Sequence, residues 1–153
     1  LVPQQFVAAA AHDSVFETDD VGFLSGGSSL GPDATKEAPM SYVDGFVVPV
    51  SRDNIEAYKA QARKAGEVWK EHGAIAFVEC IGDDVPYGTL TSFPRAVQAK
   101  DDEVVAFSWI IYRSRAERDK VNEKVMADPR LKGDMPFDGK RLIYGGFEMW
   151  LEM

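Results

Sequence analysis

Val104-Val105-Ala106-Phe107-Ser108-Trp109-Ile110-Ile111-Tyr112 runs nine residues without a charge, and its alternation separates two sets that are both apolar. Val105, Phe107, Trp109 and Ile111 oppose Val104, Ala106, Ile110 and Tyr112. A strand that meets water on one side turns polar at every second position. This one does not. The run before it, Ala74–Ile81, repeats the pattern: Ile75, Phe77 and Ile81 against Ala74, Ala76, Val78 and Cys80. A run near the end, Arg141–Leu151, sets Leu142, Tyr144 and Trp150 against Ile143, Phe147, Met149 and Leu151. Glu79, Ser108 and Glu148 are the polar intruders, and each needs a partner if buried.

The segments around these strands complete a fold. Tyr42–Val50, rich in β-branched and aromatic residues, is a first strand. Ser51 offers a cap to a helix whose apolar positions Ile55, Tyr58, Ala62, Ala65, Val68 and Trp69 follow a 3.6-residue period, with Gly73 as its stop. After a long loop, with Thr89–Phe93 expected to be extended, comes the central uncharged run. Ser114-Arg115-Ala116-Glu117 then forms a capping box, opening a second helix that Asp128-Pro129 ends near Ala127. The order β-α-β-β-α-β predicts an α+β, ferredoxin-like fold with a four-stranded antiparallel sheet in the spatial order 4-1-3-2.

Two helices cover one face of such a sheet. The other face would leave an apolar patch larger than a monomer tolerates. A second copy of the same sheet is the simplest cover. The expected assembly is a C2 homodimer joined through the sheet face, two sheets stacked as a dimeric α/β barrel.

The chain has 153 residues, 45% of them hydrophobic and 27% charged, which suits one ordinary globular domain. Cys80 is the only cysteine, so an intrachain disulfide is excluded and no zinc site is expected. No apolar run nears the roughly 18–20 residues that span a bilayer. The net charge of −8 opposes non-specific attraction to nucleic acid or anionic lipid. These features predict a soluble cytoplasmic protein with no metal, no cofactor, no nucleic-acid partner and no membrane partner.

Charge is uneven along the chain. Residues 1–39 hold six acids against Lys36 alone, and Ser25–Pro32 has a linker composition. They read as a largely disordered N-terminal extension, natural or upstream-derived, with at most a short helix at Gln4–Ala11. Residues 40–153 form the domain, with Met40 as a candidate natural start. No basic region precedes Phe6–Ala11 as a signal peptide requires.

Within the domain, Tyr42-Val43-Asp44-Gly45-Phe46, Ala65-Gly66-Glu67-Val68-Trp69-Lys70-Glu71-His72-Gly73-Ala74, Thr91-Ser92-Phe93-Pro94-Arg95, Phe107-Ser108-Trp109-Ile110, Asp128-Pro129-Arg130 and the run from Asp134 to Phe147 occur in this order. Over about residues 40–150 the chain resembles the YbaA-like family of small bacterial proteins of unknown function. The resemblance implies a ferredoxin-like, dimeric α/β-barrel fold. That superfamily includes cofactor-free monooxygenases, haem-degrading enzymes and small-molecule sensors. The family has no settled activity, so no catalytic residue carries over. A name linked to signal-recognition-particle RNA, attached to some relatives, finds no support in these residues.

The predicted topology gathers the turn Pro49–Arg52, the loop 82–103 and the loop 129–140 at one end of the sheet, where function usually resides. Ser92, Arg95, Asp134, Lys140, Arg141 and Tyr144 are the candidate ligand-binding residues there, the cations suiting a small anionic molecule. The competing reading is that Arg95 and Arg141 pair with neighbouring aspartates and pin the loops. Elsewhere the structural reading leads. His72 suits the negative end of a helix. Cys80 reads as a buried core thiol, Trp69, Trp109 and Trp150 as core, and Gly145-Gly146 as a bulge or close backbone approach. No axial histidine for haem is evident, and no RNP signature is present. The basic residues Arg113, Arg115, Arg118, Lys120 and Lys124, interleaved with acids, read as a solvated helix face. Two functions stay open: a dimer that binds or transforms a small molecule between sheet and helices, and a non-catalytic regulatory or protein-interaction module.

Overall fold

The structure is a computed structural model that describes residues 41–153. The expectations for the N-terminal extension, its linker, its short helix and Met40 lie outside the described residues. The elements are β1 (Tyr42–Ser51), α1 (Ile55–His72), β2 (Ala76–Ile81), α2 (Phe93–Ala96), β3 (Glu103–Tyr112), α3 (Arg115–Ala127) and β4 (Ile143–Glu148). Single 3₁₀ turns occupy Arg52–Asn54, Pro129–Leu131 and Gly139–Arg141. The fold is α+β with one four-stranded antiparallel sheet in the order β2-β3-β1-β4.

Register fixes which side chains share a face. β1 and β3 pair without interruption from Tyr42 opposite Tyr112 to Ser51 opposite Glu103. Phe46, Val48, Phe77, Ala106, Ile110, Tyr112 and Tyr144 face α1 and α3. α1 sets its apolar stripe of Tyr58, Ala62, Ala65, Val68 and Trp69 onto them. It ends at Gly73, whose φ of +119° a side chain would strain. Ser114 Oγ accepts from the Glu117 amide at the start of α3, as a capping serine should. The Glu117 carboxylate, however, pairs with Lys120 along the helix.

The other sheet face carries Val43, Gly45, Val47, Val78, Cys80, Val105, Phe107, Trp109, Ile111, Ile143, Gly145 and Phe147, and among its described strand residues the charged one is Glu103, at the end of β3 and paired with Arg141. Helix α2 and the residues after it cover one corner, burying Val97 against Val47 and Val105 and setting Phe93 against Phe107. The rest is open. Phe107, Ile143 and Phe147 are between 41% and 61% exposed.

Several expectations change. Ser51 makes no side-chain cap, because the 3₁₀ turn intervenes before α1. Thr89–Phe93 is not a strand; Ser92 instead caps α2, accepting from the Arg95 amide. Strand four begins at Ile143 because the Gly139–Arg141 turn consumes its first residue, and it ends at Glu148. Cys80 is exposed, since it faces away from the helices opposite Phe107. Trp109 is half-buried on that same face and Trp150 lies beyond β4, so only Trp69 joins the core. Gly145 and Gly146 pair regularly with Gly45 and Asp44, so there is no bulge. A Cβ on Gly146 would run into the Tyr42 ring, so the close-approach reading holds.

Arg118 is not solvated. It is buried on α3, 3.7 Å from the buried Asp44 carboxylate, with its guanidinium 5.0 Å from the Tyr42 ring centre. Nearby, Trp69 Nε1 donates to Tyr112 Oη at 3.1 Å, and Tyr112 Oη donates to Asn122 Oδ1 at 3.2 Å. Burial outweighs the arginine and raises the Asp44 pKa.

Candidate functional site

Between α1 and the sheet lies a cavity whose walls are mostly apolar: Phe46, Ala62, Ala65, Phe77, Ile110, Pro136 and Phe137. Tyr58, Gln61, Glu79 and Ser108 supply its polar atoms. Each wall has a local cause. The helical period of α1 turns Tyr58, Gln61, Ala62 and Ala65 inward. Register places Glu79 of β2 directly opposite Ser108 of β3, both on the helix-covered face. Gly66 lets the Phe77 ring lie against α1, where a Cβ would stand 2.9 Å from the ring.

Glu79 is the chemical centre. Tyr58 Oη donates to its Oε2 at 2.7 Å, and the Ser108 hydroxyl also bonds its carboxylate. Among the described residues, no cationic side chain lines the cavity. Burial therefore dominates and raises the Glu79 pKa, while the Tyr58 and Ser108 hydrogen bonds pull it partly back. Tyr58 is itself pushed upward by burial and by the neighbouring Glu79 charge.

The cavity is closed by Pro136 and Phe137. Phe137 meets the Tyr58 ring edge-on at 5.8 Å, and Asn54 Nδ2 donates to the Pro136 carbonyl at 3.2 Å. The volume is about 20 Å³, room for little more than a water molecule. On the outer side, Glu79 also borders an open groove between α1 and β2, with Lys59 and Arg63 among its lining residues.

None of the six residues singled out in the sequence lines this cavity. Arg141 binds Glu103 through two contacts of 2.6 and 2.7 Å, Asp138 at 2.9 Å and the Gln98 carbonyl at 2.9 Å. Arg95 donates to the Tyr87 and Gly88 carbonyls and sits 4.0 Å over the Tyr87 ring. Ser92 caps α2. Tyr144 stacks on Phe46 from the neighbouring strand, with centres 6.1 Å apart. Asp134 and Lys140 are exposed, Asp134 in a shallow groove beside Lys64 and Lys132. The shared loop end does exist, but the ionisable group of the cavity is an acid, opposite in sign to an anion site. His72 is held by Asp128 at 3.0 Å.

Tyr58, Gln61 and Phe137 were missed in the sequence because Tyr58 fits the core stripe and the others fit a helix surface and a loop. Glu79 left one signal: an acid in an otherwise apolar strand. Among the described residues, no three His, Cys, Asp or Glu side chains converge to hold a metal ion. No described helix is long and apolar enough to cross a membrane.

An antiparallel sheet with one helix-covered face, one open apolar face and a half-buried carboxylate under α1 defines a small α+β protein with a polar site between helix and sheet. The chain belongs to the family described as Protein of unknown function (DUF1428), which matches residues 41–139. The "Uncharacterized protein YbaA" of Escherichia coli strain K12 is 54% identical over 112 residues, covering 71% of this chain and 96% of that protein. The proteins of the same name from Escherichia coli O157:H7 and Shigella flexneri match with the same values. The resemblance to the YbaA-like family noted in the sequence is therefore a family membership.

Proposed function

We propose that this protein is a homodimer that binds a small, uncharged and largely apolar molecule in the cavity beneath α1. The observation that carries the binding reading is Glu79, a half-buried carboxylate set against apolar walls and held by Tyr58 and Ser108. Core-forming positions seldom keep an acid without a counter-charge, because desolvating it is costly. The missing cation argues against an anionic ligand and favours one that hydrogen-bonds. The Asn54–Pro136 contact and Phe137 are the parts that must move for it to enter.

The dimer is the ferredoxin-like, dimeric α/β barrel in which two open sheet faces stack. Four strands about 4.8 Å apart, averaging eight residues at about 3.3 Å each, give a face of about 500 Å² per copy. Helix α2 covers one corner of it, so two copies bring together somewhat less than about 1,000 Å² of sheet before side-chain relief is added, near the low end of specific interfaces. A non-catalytic interaction module is the second reading, favoured by the water-sized volume of the closed cavity.

Saturation-transfer NMR with cyclohexanone as probe tests the site in the full chain. Binding is expected, and Ala62→Leu, which fills the cavity from α1, is expected to abolish it while leaving the dimer intact. A wild-type chain that gives no transfer overturns the binding reading.

A further inference from the structure

We infer that Glu79 is a proton-transfer group, and that the molecule bound beneath α1 is a carbon acid: a small apolar compound whose C–H is activated by an adjacent carbonyl. The inference deepens the binding reading and rests on it. Three features of the cavity converge on this chemistry. A carboxylate abstracts a proton from carbon when the C–H is held against it, and the apolar walls of Phe46, Phe77, Ile110 and Phe137 suit the hydrocarbon part of such a compound on the cavity side of Glu79. Glu79 is oriented by Tyr58 Oη at 2.7 Å and by Ser108, leaving its remaining lone pairs to accept a proton. Gln61 adds a side-chain amide to the same lining, a group of the kind that can donate to a carbonyl oxygen.

The step balances without a cofactor. The Glu79 carboxylate takes the α proton, and the C–H electron pair forms the C=C bond of an enolate. The carbonyl π pair moves onto oxygen. Exchange of the Glu79 carboxyl proton with solvent through the outer groove, followed by its return to the same carbon, regenerates the ketone with solvent isotope incorporated, and return to another position isomerises the compound. The groups facing Glu79 are Tyr58 of α1 and Ser108 of β3; Lys59 and Arg63 of α1 share only the outer groove.

The experiment follows α-deuterium incorporation into cyclohexanone in D₂O by proton NMR, alongside saturation transfer on the same samples. Exchange about a hundredfold above buffer is expected with the wild-type chain. It should rise with pH as Glu79 ionises and fall to background in Glu79→Gln, with saturation transfer retained. Tyr58→Phe removes a donor to the carboxylate, so the midpoint of its pH profile should move upward, a change that a purely structural tyrosine would not produce. Saturation transfer without exchange overturns the proton-transfer inference and leaves the binding reading standing. Exchange undiminished in Glu79→Gln also overturns the inference. Absence of saturation transfer overturns the binding reading, and the inference with it.

Discussion

Glu79 stands where the fold would be more stable without a charge. Its pKa is raised by burial, so the folded chain holds this proton more tightly than the unfolded chain does. Between the ordinary carboxylate range and the raised value the native state binds more protons, and stability therefore falls as pH rises through that window. Glu79→Gln removes this dependence. It is expected to raise stability at neutral pH by about 0.5–2 kcal/mol, the usual size of a gain at a functional position. Urea unfolding at pH 4.5 and pH 7.5 checks it: the gain should appear at the higher pH and shrink at the lower. The residue was visible in the sequence as an acid among Phe77, Val78 and Ile81. Its partners were not, because Tyr58 and Ser108 lie 21 and 29 positions away and only register and packing bring them together. The same holds for Asp44 and Arg118. Nothing in the local pattern of α3 separates a buried arginine from the exposed ones beside it.

At the scale of elements, periodicity carried most of the information. α1 announces itself by its apolar stripe and its glycine stop, and β3 by an uncharged run longer than a loop would hold. Gly73→Ala places a side chain at φ +119° and is expected to cost about 1–2 kcal/mol in urea unfolding. The ends of elements were less legible, since the Arg52–Asn54 and Gly139–Arg141 turns depend on contacts between loops. Arg141 makes the clearest of these contacts. It joins Asp138 to Glu103 and to the Gln98 carbonyl, and its hydrogen bonds hold the Glu103 carboxyl below the usual carboxylate range. A lowered acid lends stability that is present above its unfolded pKa and lost as pH falls through the folded value. Arg141→Ala should therefore destabilise the chain by about 1–3 kcal/mol at pH 7, with a smaller difference from wild type near pH 3.

Across the whole molecule, the decisive asymmetry is between two sheet faces that are both apolar, of which α1 and α3 cover one. Sequence alternation revealed that both faces are oily. It could not say which residues faced the helices, and so Cys80 was assigned to the core although it lies on the open face opposite Phe107. That misplacement supplies a probe of the proposed dimer. Cys80 is exposed on the single chain, and a second sheet stacked on Phe107, Trp109 and Phe147 would cover it. In the full chain at micromolar concentration, reaction of Cys80 with a disulfide reagent such as Ellman's is expected to be slow and to accelerate on dilution. Trp109→Arg places a charge at the centre of the face, where burial without a partner is prohibitive. Sedimentation should then give the 16.9 kDa chain alone in place of twice that mass, with Cys80 reacting rapidly at every concentration. A wild-type chain that sediments as a single subunit, with a fast and concentration-independent thiol, would leave the open face without its second copy.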